Sequence, residues 1–97
     1  MVSIGIDIGG TRLKVGRVQD GHVVQRTSAP TPHDFQKLVG SLAQLVTEVA
    51  DGITGLPVAA GVPGVFDEGC SMVVSSPNLR FLDGLPLRDS LSEAIGT

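Results

Sequence analysis

Apolar and small or polar residues alternate strictly from Val2 to Ile8. Val2, Ile4, Ile6 and Ile8 fall on one face, and Ser3, Gly5 and Asp7 fall on the other. Branched apolar side chains at period two predict a β-strand. The small residues of the second face leave room for a close neighbour there too. Gly9-Gly10 interrupts the run as a hairpin turn does. Leu13, Val15 and Arg17 resume the alternation to about Val18. Asp20-Gly21 makes a second two-residue turn, and Val23 and Val24 open a third strand that runs to about Ser28. The first 28 residues therefore predict a three-stranded antiparallel meander.

The period then changes. Phe35, Leu38, Val39, Leu42, Leu45, Val46 and Val49 recur at helical spacing, with Gln36, Lys37, Ser41, Gln44 and Glu48 mainly opposite them. This predicts an amphipathic helix with Thr31 as N-cap, Pro32 at the first helical position, Asp34 in the first turn and Gly52 as the stop. The apolar run from Leu56 to Val62 predicts a short buried strand, with Pro57 as its first residue. A helix joining two strands is a crossover, so this strand should lie parallel to the first. Gly61-Val62-Pro63-Gly64 ends it. A turn at Asp67-Glu68-Gly69 precedes a short strand over Ser71 to Ser75, and Pro77-Asn78 opens a loop. A second, shorter helix is predicted over about Leu87 to Ile95, with Leu87, Leu91, Ala94 and Ile95 inward. The order is β-β-β-α-β, a small hairpin, then α. Gly96-Thr97 falls where a helix end leads into another strand, so the expectation is an unfinished α/β domain.

Composition narrows this picture. The 97 residues allow one domain at most, and with Phe as the only aromatic type, aliphatic side chains must fill its core. The 13 glycines are about twice the usual share, which marks tight backbone positions. A net charge of −3 without a basic run argues against nucleic acid and anionic membranes as partners. The lone Cys70 excludes an internal disulfide and a multi-cysteine zinc site. No apolar run approaches the roughly 20 residues of a membrane span, and Met1-Val2-Ser3 does not read as a signal peptide. A cytoplasmic protein is the expectation.

Three short strings carry chemistry. In Asp7-Ile8-Gly9-Gly10-Thr11, a strand-end carboxylate can reach a hydrated Mg²⁺ held by phosphates. The two glycines bare the backbone so that successive N–H groups can approach phosphate oxygens. Thr11 adds a hydroxyl and Arg12 a charge. The string is not a Walker loop, which places Gly-Lys before a helix, and a plain Gly-Gly turn reads it equally well. Gly61-Val62-Pro63-Gly64 either lets a substrate hydroxyl approach the backbone or simply ends a strand. Asn78 offers the donor and acceptor that a sugar hydroxyl pair needs, although Asn after Pro is also a common turn residue. His22 and His33 are too far apart in sequence for metal-ligand spacing and read as solvated, and Lys14 reads as pointing outward from its strand. Cys70 reads as a small apolar filler.

The order and spacing of these signals resemble the N-terminal part of the ROK family (repressor, open reading frame, kinase). The likeness runs from Ile4-Gly5-Ile6-Asp7-Ile8-Gly9-Gly10-Thr11-Arg12, through Gly61-Val62-Pro63-Gly64 and Asp67, to Ser76-Pro77-Asn78-Leu79 and Leu85-Pro86-Leu87. It implies an actin-like, ribonuclease H-like ATPase lobe with strand order 3-2-1-4-5. Strands 1 to 4 of that lobe are expected within residues 1–97, and no second domain is expected among them. It further implies that Asp7, Gly9, Gly10, Thr11 and Arg12 form the ATP phosphate loop, that Asp7 serves Mg²⁺, and that Gly64 and Asn78 lie near sugar hydroxyls. Bacterial glucokinase-like sugar kinases are the nearest likeness, with ATP and a hexose as partners.

Two features depart from the family pattern. The turn at Asp67-Glu68-Gly69 is short, and the aromatic that follows the Asn-Leu pair is replaced by Leu82 or shifted to Phe81. The family's catalytic Asn-Asp pair does not occur in the sequence, so no catalytic residue is assigned. The chain alone is expected to be inactive and to bind nucleotide weakly or not at all. Its fourth strand is expected to be an open edge that favours self-association. The alternatives are the sugar-sensing domain of a ROK transcriptional repressor and a lobe of another actin-like ATPase.

Overall fold

The computed structural model describes residues 2–61, 65–66, 73–75 and 85–96. The first alternating run forms β1 (Val2–Ile8), which buries Ile4, Ile6 and Ile8 on one face and exposes Asp7 on the other. β2 (Arg12–Gln19) returns antiparallel and buries Leu13 and Val15 on the same side of the sheet. β3 (His22–Pro30) returns again, with a shift of register between Arg17 and Val18. Asp20 and Gly21 join β2 to β3 at φ 51° and 82°, the left-handed pair that a tight hairpin of right-twisted strands requires.

α1 (Phe35–Ala50) packs Leu38, Leu42, Leu45, Val46 and Val49 against that meander. Its N-cap is Asp34, whose Oδ1 accepts from the Lys37 N–H at 3.0 Å, and not Thr31 as the sequence predicts. The Thr31 hydroxyl bonds instead to the Gly9 carbonyl, so the helix starts later, where the next suitable carboxylate stands. At the other end Asp51 and Gly52 both turn left-handed, so the helix stops where the glycine predicts.

β4 (Val58–Gly61) lies parallel to β1, giving a four-stranded sheet of order β3-β2-β1-β4. The parallel pairing and the order follow the sequence reading, but the expected burial does not. Val58 is half-buried, and Ala59, Ala60 and Gly61 are exposed, because α1 lies over β1, β2 and β3 and leaves β4 at the margin. β5 (Val65–Phe66) and β6 (Val73–Ser75) form a separate antiparallel ribbon. The turn assigned to Asp67-Glu68-Gly69, and Cys70 beside it, lie outside the described residues.

α2 (Leu87–Ile95) packs on α1. Leu87 and Leu91 are buried and Ile95 half-buried, while Ala94 is exposed. Among the described residues the inward stripe is thus narrower than predicted, and α1 is the main element it meets. The core is a single aliphatic layer between one face of the sheet and the helices, centred on Ile4, Ile8, Leu13, Leu38 and Leu42. Each such side chain contributes about 1.5–3 kcal/mol when fully buried. Among the described residues no helix is long and apolar enough to cross a membrane.

Candidate functional site

The helices occupy one face of the sheet, so the polar positions of β1 and β2 define a site on the other. Gly9, Gly10 and Thr11 link the two strands at one end of that face. The Gly9 N–H donates to the Arg12 carbonyl at 3.0 Å. A Cβ on Gly9 would lie 2.9 Å from that oxygen, so closure of the hairpin itself requires glycine there. This N–H is therefore already spent, whereas the N–H groups of Gly10 and Thr11 carry no hydrogen bond among the described residues.

The loop's carbonyls are held from outside. The Thr31 hydroxyl donates to the Gly9 carbonyl at 2.7 Å, and the Thr31 N–H donates to the Thr11 carbonyl at 2.9 Å. His33 Nε2 lies 3.0 Å from the Gly10 carbonyl. A carbonyl only accepts, so His33 holds a proton on Nε2. His33 is exposed, as the sequence predicts, and from there it also reaches the loop; Thr31, predicted as the helix cap, clasps the loop instead.

Asp7 is exposed beside this loop, directly opposite Lys14 on β2 and Gly61 on β4. The Gly61-to-Gly64 string thus begins level with the carboxylate. Gly5, Gly16 and Ala59 form the next row, and Arg26 stands opposite Gly16. These residues line an open cleft of about 830 Å³. Arg12 shares the face of Lys14 by strand alternation, and its Nη2 donates to Ser28 Oγ at 2.9 Å. Among the described residues three cations, Arg12, Lys14 and Arg26, therefore accompany one carboxylate on this face, a balance that favours an anionic ligand.

No group of three or more metal-binding side chains occurs among the described residues. A single exposed carboxylate instead fits Mg²⁺, which keeps most of its waters and is shared with substrate phosphates. The structure thus places Asp7, Gly9, Gly10, Thr11 and Arg12 around one sheet end. Gly64 and Asn78, the expected sugar contacts, lie outside the described residues.

The ROK family model matches residues 3–97. A glucokinase of Thermotoga maritima is 32% identical over 96 residues, covering 96% of this chain and 30% of the relative. An N-acetylmannosamine kinase of Vibrio cholerae is 30% identical over 94 residues, covering 88% of this chain and 33% of the relative. Among solved structures, a ROK family glucokinase from Streptomyces griseus in complex with glucose and AMPPNP aligns with a TM-score of 0.89 at 27% identity, over 99% of this chain and 31% of that one. The chain therefore spans about one third of the length of the kinases it matches.

Proposed function

The chain belongs to the ROK family, and on that footing we propose that it is the nucleotide-phosphate lobe of an ATP-dependent hexose kinase acting on glucose or a close relative. The observation that carries this reading is the pair of N–H groups at Gly10 and Thr11 that have no hydrogen bond among the described residues, set beside Asp7 on a face rich in cations. Phosphoryl transfer needs little covalent chemistry from the protein; it needs the phosphates held and their charge offset. Gly10 and Thr11 hold phosphate oxygens through their N–H groups, and Thr11 adds its hydroxyl. Arg12 and Lys14 offset charge from β2. Asp7 would hold Mg²⁺, which when bound would offset phosphate charge. Gly64 and Asn78 are assigned to positioning the sugar by the place of their motifs in the sequence.

The chain alone is inactive, because it contains no Asn-Asp pair to orient the attacking hydroxyl. A chimera tests the reading, with residues 1–97 replacing the matching third of the Thermotoga maritima glucokinase. It is expected to phosphorylate glucose with ATP, and Asp7→Ala is expected to lower its turnover about 100-fold. A folded chimera whose turnover ignores Asp7→Ala would overturn the assignment.

A further inference from the structure

A trans peptide unit is planar, and its carbonyl and the following N–H point in opposite directions. The Gly9 carbonyl faces the Thr31 hydroxyl, so the Gly10 N–H faces away from Thr31. The Gly10 carbonyl faces His33 Nε2, so the Thr11 N–H faces away from His33. Two consecutive peptide planes are thus oriented by one short segment that sits 22 to 23 residues later in the chain. Thr31 is buried and its hydroxyl bond part-buried, so water competes for that bond less than at an exposed site. The hairpin has a closing bond of its own, from the Gly9 N–H to the Arg12 carbonyl.

We propose that Thr31 and His33 are positioning residues for the phosphate loop: by holding the Gly9 and Gly10 carbonyls, they preset the Gly10 and Thr11 N–H groups toward the ligand anion. This rests on the reading of that loop as a phosphate cradle. Without the clasps, each glycine-linked plane is restrained only through its neighbours, and binding must order it further. With them, that cost is met during folding.

The test is a ¹⁵N–¹H NMR titration of the chain with inorganic tripolyphosphate. The wild type is expected to show saturable shifts at Gly10 and Thr11. Thr31→Val, which keeps the shape and loses the donor, is expected to bind about fivefold more weakly, the equivalent of one neutral hydrogen bond. Thr31→Ser is expected to restore wild-type binding, and His33→Ala to weaken it while the amides of Ile6 and Leu42 stay in place. Should Thr31→Val fail to fold, His33→Ala, at an exposed position, decides the matter. Wild-type affinity in both Thr31→Val and His33→Ala, or in His33→Ala where it alone is folded, would overturn the positioning role and leave the phosphate cradle standing. No response at Gly10 and Thr11 in the wild type would instead overturn the cradle, and the proposal with it.

Discussion

The Thr31 hydroxyl donates to the Gly9 carbonyl at 2.7 Å, across 22 positions of the chain. That bond fixes the β1–β2 loop and withdraws Thr31 from capping α1, so the cap passes to Asp34. Asp34→Ala is therefore expected to cost about 1 kcal/mol of stability, the usual loss for an N-cap carboxylate. A shift of the urea midpoint at unchanged slope measures it. A midpoint equal to the wild type would show that Asp34 does not cap the helix.

Two glycines on β1 and its turn should behave differently. A Cβ on Gly9 meets the Arg12 carbonyl oxygen at 2.9 Å, a backbone atom that cannot swing aside. Gly9→Ala is expected to destabilise by about 1–3 kcal/mol, as overpacking does. A Cβ on Gly5 meets nothing within 4 Å. Gly5→Ala is expected to be neutral or slightly stabilising, since it restricts the unfolded chain. Denaturant titrations of both variants give the comparison, and equal effects would contradict it.

Leu42 lies fully buried at the centre of α1's inward face. Leu42→Ala is expected to cost about 2–5 kcal/mol. A domain of this size has little more than that to lose, so thermal unfolding followed by circular dichroism should lose its cooperative transition. A cooperative transition near the wild-type midpoint would mean that the layer between sheet and helix is not the chief source of stability.

β4 ends the sheet, and no described strand pairs with its outer edge. Its residues Ala59, Ala60 and Gly61 are exposed and carry no charge to discourage pairing. Concentration-dependent association is expected in light scattering, and a charged substitution such as Ala60→Lys should reduce it. A strictly monomeric wild-type chain at high concentration would contradict this.

Local patterns made much of the fold legible. The alternation of Val2 to Ile8, the Asp20-Gly21 turn and the helical spacing from Phe35 to Val49 each reflect one-dimensional rules, and each element stands where those rules put it. The start of α1 was not legible, because Thr31 is claimed by a carbonyl far away in sequence. The exposure of β4 was hidden for a related reason. An apolar run reports what a strand can bury, not whether a neighbour lies over it. At the site, the Asp7 string pointed to the loop, but nothing near His33 marks it as a partner of Gly10. Such clasps arise from tertiary proximity and leave no periodic trace.

The two hairpin turns of the meander provide an internal control for the phosphate cradle. Gly9 to Thr11 and Asp20-Gly21 are both glycine-containing turns, but only the first pairs open N–H groups with Asp7 and Lys14. The most direct measurement is a ¹⁵N–¹H titration of the chain with Mg-ATP, read at both turns. Weak, Mg²⁺-dependent shifts at Asp7, Gly10 and Thr11, with Asp20 and Gly21 silent, are the predicted result. Silence at Gly10 and Thr11, or equal shifts at the two turns, would contradict it and leave an ordinary hairpin.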